Sequence, residues 1–258
     1  MSDLSLYSVC FPIFLGVLSI SLCHELGHVV ASKISRVKIG LPVLLPSLQL
    51  GTFGCITPLR NFPESRTSLF DFAASGPLSA IVLSITFVVY GLLLTTQTSA
   101  SSVLDLPAVP ATLFKSSFLV GTFVSALAPK LMTLPLSQPV PVHPFFLIGL
   151  SGIFVSAVNL LPIGRLDGGR MCSAVFGRRS AYLISLLTTL FLAISALTGS
   201  STISIFWGLL VTLFQRTQEI PVRDDLSQVS NIRFVLYIFS IVFTALVLAP
   251  FPGGQGSL

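Results

Sequence analysis

The stretch Ser21-Leu22-Cys23-His24-Glu25-Leu26-Gly27-His28 lies inside a long apolar run, and the rest of the chain is organised around it. Two of the three histidines and one of the three glutamates fall within five consecutive positions, in the pattern His-Glu-x-x-His. On a helix, His24 and His28 stand one turn apart on the same face, so both imidazoles reach a single metal ion. Glu25 follows His24 on that surface, placed to handle a proton on water activated by the metal. Cys23 points about 100° away from His24 on the same helix and is not read as a ligand.

Of the 258 residues, 53% are hydrophobic and only 9% are charged, and the mean hydropathy is +0.93. Soluble domains carry about 25% charged residues, so the chain reads as an all-α polytopic membrane protein. Its length accommodates about six or seven transmembrane helices in a single membrane-embedded domain covering residues 1–258, with no soluble domain. The net charge of +5 does not indicate nucleic acid: the 14 basic residues form no Lys/Arg run and act instead as topology determinants. Cys10, Cys23, Cys55 and Cys172 show no C-x-x-C spacing and read as thiols rather than a disulfide framework. The first apolar run is too long for a signal-peptide core, so no cleavable presequence is expected within it.

A first span is expected over about Tyr7–Ser32, bounded at one membrane face, face A, by Lys33, Arg36 and Lys38. At 1.5 Å per residue, His28 then lies roughly 7 Å below that face. Residues 38–59 are apolar, but Gly40, Pro42, Pro46, Gly51, Gly54 and Pro58 argue for a re-entrant, β-hairpin-like segment instead of a spanning helix. Such irregular backbone needs a cavity or protein to pack on, which leaves a substrate-facing role or a plain connector. A second span is expected at Phe72–Leu94, with Gly76-Pro77 permitting close packing or a kink. Further spans follow at Pro144–Ile163, about 180–198, about 203–215, and 234 to Leu248.

The acidic candidates for a third ligand are few. Glu64 and Asp71 read as solvated, Asp105 as lying on the opposite face B, and Glu219, Asp224 and Asp225 as the solvated face of a charged loop. Asp167 differs because it follows an apolar span and is preceded by Pro162 and Gly164, which can unwind the helix. An ionisable group in that position is costly unless it is metal-bound or paired, for which Arg165 and Arg170 are at hand. If Asp167 shares a metal with His24 and His28, the stretch 111–141 must begin and end on face B. Twelve of the 14 basic residues then fall at face A, all but Lys115 and Lys130, as the positive-inside rule expects of a cytoplasmic or equivalent side. His143 reads as interfacial. Asn159 is open to two accounts, an interhelical hydrogen bond or a donor to the scissile carbonyl.

In combination, His24-Glu25-x-x-His28 and Asn159-x-x-Pro162-x-x-x-Leu166-Asp167-Gly168 resemble the site-2 proteases, the intramembrane zinc metalloproteases. The stretches GTFGCITP (51–58), ASGPLSA (74–80) and NLLPIGRLDGGR (159–170) look like the chloroplast EGY branch of that family, the resemblance covering about residues 10–180. It implies one Zn2+ per chain held by His24, His28 and Asp167, with Glu25 as catalytic acid and base and Asn159 as a polar helper. It further implies transmembrane protein substrates that add a strand to the 38–59 hairpin. The setting it implies is a chloroplast membrane, with the site near the positively charged stromal face. Many relatives carry an asparagine soon after the Gly-Pro of the second span, where this chain has Leu78-Ser79-Ala80. Two other readings stand beside it, a membrane metal-ion transporter and an inactive protease-like scaffold. The spans at 72–94, 180–198 and 234–248 hold no ionisable residue except tyrosine, which speaks against an ion path.

Overall fold

In the computed structural model the described residues are 3–47, 51–97, 106–198, 217 and 219–252; the span expected at 203–215 and Asp105 lie outside them. The described chain is mostly helical: α1 Asp3–Ile34, α2 Arg66–Gln97, α3 Phe118–Leu127, α4 Pro144–Asn159, α5 Asp167–Phe176, α6 Arg178–Thr198 and α7 Asn231–Leu248. Strands β1 Val43–Ser47 and β2 Gly51–Ile56 pair antiparallel, as do β3 Ala108–Pro110 and β4 Pro139–Pro141. Among the described residues, three helices are long and apolar enough to cross a membrane: Cys10–Ile34 within α1, all of α2, and α7.

Local chemistry explains where the helices depart from the sequence expectation. The second helix starts at Arg66, not Phe72, because Ser65 and Ser68 cap it reciprocally. Ser65 Oγ accepts from the Ser68 amide at 3.2 Å, and Ser68 Oγ accepts from the Ser65 amide at 3.0 Å. α4 stops at Asn159, short of Ile163, since Pro162 lacks an amide and restricts the residue before it. The turn that follows is closed by Leu161 N–H to Val158 O at 3.3 Å and Leu166 N–H to Ile163 O at 3.0 Å. It delivers Asp167 to the first turn of α5, where the helix dipole favours a carboxylate. Gly168 is required there, because a Cβ would lie 1.9 Å from the Leu160 carbonyl oxygen.

The chain divides into two compact units. One comprises Met1–Leu22, Ala80–Ala157 and Phe243–Leu258. Its core includes Ile20, Ala80 and Ile148, with Ile13, Leu83, Phe87 and Phe145 packed around them. α2 and α4 approach backbone to backbone there: a Cβ on Gly149 would meet Ser84 O at 2.5 Å. The β3–β4 pairing sets the two ends of the stretch 111–141 side by side. His143 caps α4, its Nδ1 accepting from the Phe145 amide at 3.2 Å.

The other unit comprises Cys23–Ser79 and Val158–Val242. A core of Leu161, Ile163 and Leu166, with Leu45, Val158 and Leu192 against it, seats the hairpin beside the turn that carries Asp167. The β1–β2 register runs from Val43 opposite Ile56 to Ser47 opposite Gly51, with an irregularity between Leu44 and Pro46. Proline supplies no amide to the ladder, so the break falls where the donor is missing. Asp71, expected to be solvated, keeps 40% of its side chain exposed and also accepts a two-pronged ion pair from Arg233, at 2.7 Å to Nε and 2.8 Å to Nη2.

Candidate metal centre

All five residues singled out by the sequence are buried, with 8% or less of their surface exposed: His24, Glu25, His28, Asn159 and Asp167. They all lie in the second unit. His24 and His28 come from adjacent turns of α1, as the i, i+4 spacing requires. His24 Nε2 lies 3.1 Å from His28 Nε2 and 3.1 Å from Asp167 Oδ2, and the third edge, His28 Nε2 to Asp167 Oδ2, is 3.4 Å. An ion bonded tetrahedrally at about 2.0–2.1 Å separates its ligands by about 3.3–3.4 Å, so the triangle has the size of three such corners.

Hydrogen bonding makes the same point. The Phe72 carbonyl can only accept, so His28 Nδ1, 2.9 Å away, carries the proton. When His28 is neutral, this leaves the lone pair of Nε2 turned toward His24 Nε2 and Asp167 Oδ2. Burial works to raise the pKa of the Asp167 carboxyl, but its contacts with His28 and His24 hold it well below the usual carboxylate range. Asp167 is thus an anion, and three electron-rich atoms converge on one point, an arrangement that a cation stabilises. Asp167 and Glu219 face the buried guanidinium of Arg170. Two imidazoles and one carboxylate form a donor set suited to zinc.

Glu25 stands at the edge of this triangle, and the metal-binding atoms of His24, Glu25 and His28 all lie within 4.8 Å of one another. Thr57 Oγ1 donates to Glu25 Oε2 at 2.6 Å. Glu25 Oε1 is buried and has no hydrogen-bond partner among the described residues. One oxygen is thereby fixed and the other left available. Cys55 sits beside Glu25, and burial, reinforced by the Glu25 charge and a hydrogen bond to it, pushes its thiol up to about 12. In the metal-free site it stays protonated near neutral pH.

His28, Cys55, Thr57, Asn159, Asp167 and Arg170 line one cleft. Asn159 reaches it over Gly54 of β2, whose φ of +98° suits glycine and whose Cβ, if present, would lie 2.7 Å from Asn159 Nδ2. Gly76 of α2 plays the same part for His28, since a Cβ there would come within 2.4 Å of His28 Nε2. Ser79, which stands near where relatives carry an asparagine, donates to the Cys23 carbonyl at 3.1 Å and so ties α2 to α1.

The profile described as Peptidase family M50 matches residues 12–198, which is most of the chain and takes in the histidine pair, the hairpin and Asp167. The chain belongs to peptidase family M50. This M50 chain is also 36% identical over 240 residues to the "Probable zinc metalloprotease EGY1, chloroplastic" of Oryza sativa subsp. japonica, covering 93% of this chain and 40% of that protein. It is 34% identical over 239 residues to the protein of the same description from Arabidopsis thaliana, covering 93% of this chain and 42% of that one. The "Probable zinc metallopeptidase EGY3, chloroplastic" of Arabidopsis thaliana is 30% identical over 253 residues, covering 95% and 44%. The chain therefore spans about two fifths of the length of the curated relatives it matches.

Three site residues escaped the sequence reading of this M50 chain. Glu219, taken for part of a solvated face, is 5% exposed and pairs with Arg170 at 2.8 Å. Arg170 was considered only as a partner of Asp167, which it reaches at 3.4 Å, but it also donates to the Thr57 carbonyl at 2.8 Å. Thr57 carried no signal, being one hydroxyl in an apolar stretch.

Proposed function

We propose that the chain is a zinc-dependent intramembrane endopeptidase that hydrolyses peptide bonds in or next to transmembrane segments of membrane proteins. The reading rests chiefly on the triangle of His24 Nε2, His28 Nε2 and Asp167 Oδ2, with edges of 3.1, 3.1 and 3.4 Å, beside a glutamate with one unpaired oxygen. His24, His28 and Asp167 would hold one Zn2+ per chain. When bound, the ion would supply Lewis acidity, polarising the scissile carbonyl and acidifying water at the site.

The chain's own residues do the rest. Glu25 Oε1 takes the proton of the attacking water and returns it to the leaving amine, while Thr57 anchors Oε2 and sets the direction of the carboxylate. Asn159, in the same cleft, is placed to donate to the carbonyl oxygen as charge develops there. A substrate helix hides its peptide bonds in i→i−4 hydrogen bonds and must unwind locally. An edge of the β1–β2 sheet offers replacement partners by strand addition. The half-sites at 24–28 and 159–169 act as one catalytic domain set in a chloroplast membrane, reached by water from the basic stromal side. The exposed row Leu183, Leu187, Leu190 and Ile194 on α6 fits a lipid environment.

Removing the metal tests the reading. In liposomes or detergent, one zinc per chain is expected, with cleavage of a membrane-embedded helical peptide lost on chelation and restored by added zinc. Cleavage indifferent to the chelator, or zinc flux without cleavage, would remove it.

A further inference from the structure

The Arg170 guanidinium is 3% exposed and sits where several functional side chains meet. Its Nη1 donates to Asp167 Oδ1 at 3.4 Å, on the carboxylate whose other oxygen faces the histidines. Its Nη2 donates at 2.8 Å to the carbonyl of Thr57, the residue whose hydroxyl holds Glu25. Its Cζ lies 5.5 Å from the centre of the Phe72 ring, and the Phe72 carbonyl fixes His28 Nδ1. One cation is thus linked to the third ligand, the proton carrier and the support of the second histidine.

Such a cation, left alone beside a metal site, would oppose the dication. Glu219 counters it, accepting from both Nε and Nη2 at 2.8 Å. Glu219 is itself anchored. Its Oε1 accepts from the Ile220 amide at 2.9 Å. The segment after it docks on the entry to α2, through Arg223 N–H to Pro63 O at 2.9 Å and Asp224 N–H to Glu64 O at 3.0 Å. Arg66 and Asp225 close that contact at 2.8 Å.

We propose that Arg170 and Glu219 are positioning residues for the metal centre: Glu219, held by its loop, fixes the guanidinium that orients Asp167 and Thr57 together. The inference rests on the reading of His24, His28 and Asp167 as the zinc ligands. It goes beyond that reading in making ligand geometry depend on a residue more than 50 positions downstream of Asp167.

Two variants test it. Arg170→Lys keeps the charge but loses the planar fork, so one ammonium cannot satisfy Glu219, Asp167 and Thr57 at once. Arg170→Met with Glu219→Leu removes both charges and leaves apolar side chains in their place, a replacement that buried ion pairs often tolerate or gain from. Zinc affinity is measured by chelator competition, alongside thermal unfolding of the metal-free protein. Groups that orient a ligand are typically worth about 10–100-fold in metal affinity. The expected result is a loss of that size in Arg170→Lys, and in the double variant where it folds, with metal-free unfolding temperature near that of the wild type. A folded variant of either kind that binds zinc as tightly as the wild type would overturn the inference and leave the metal site standing. Absence of zinc binding by the wild type would sink the metal-site reading and this inference with it.

Discussion

Glu25→Gln is expected to lower turnover by about 10³-fold, within the 10²–10⁴ that general acid–base groups contribute, while zinc content stays at the wild-type level. Glutamine preserves the volume of the side chain, and its amide oxygen can still accept from Thr57, which now holds Glu25 Oε2 at 2.6 Å. The neighbouring triangle of His24, His28 and Asp167 does not pass through Glu25, so metal binding has no reason to fall. What is lost is the unpaired oxygen and its capacity to carry a proton. Steady-state cleavage of an embedded peptide, with zinc measured on the same preparation, checks both halves. Turnover within about tenfold of the wild type would assign the proton transfer elsewhere.

Asp167→Ala is expected to weaken zinc binding by about 10²–10³-fold. Structural zinc sites are worth roughly 10–16 kcal/mol over four ligands, or about 2.5–4 kcal/mol for each, and every 1.4 kcal/mol is tenfold. Two neutral imidazoles without the carboxylate offer no charge to balance a dication. The fold should persist, because Arg170 keeps its partners Glu219 and the Thr57 carbonyl and is not left as an uncompensated buried charge. Differential scanning with and without zinc gives the measurement. The wild type gains stability as zinc rises, by the mass action of a ligand on the folded state, and the variant gains none at the same concentrations. A zinc-dependent rise in unfolding temperature equal to that of the wild type would remove Asp167 from the ligand set.

The two predictions rest on residues whose positions could be read from the sequence for a physical reason. In a chain with 9% charged residues, each ionisable group in an apolar segment is conspicuous, and i, i+4 spacing fixes which of them share a helix face. The glycines and prolines of 38–59 likewise announced a hairpin, since no helix tolerates that many breakers. Its register was not legible, because Pro46 breaks the ladder in a way that only the paired strand reveals. Nor was α5, a helix of ten residues after a turn, whose start is fixed by Gly168 packing against the Leu160 carbonyl.

Glu219 shows why proximity in sequence misleads. Its neighbours Asp224, half-buried, and Asp225, exposed, belong to a docking loop, so composition placed all three in solvent. The guanidinium that pairs with Glu219 lies 49 positions away, on α5. Thr57 and Arg170 were hidden for the same cause: their roles are set by what they touch across the fold, and neither spacing nor periodicity encodes that.

The central claim is that two α1 histidines and one α5 carboxylate hold a single zinc ion beside Glu25. X-ray absorption at the zinc edge of the purified wild type tests it most directly. The expected first shell is two imidazole nitrogens with oxygen ligands, all at about 2.0–2.2 Å, and no sulfur. A shell containing sulfur at about 2.3 Å, or one without imidazole scattering, would contradict it.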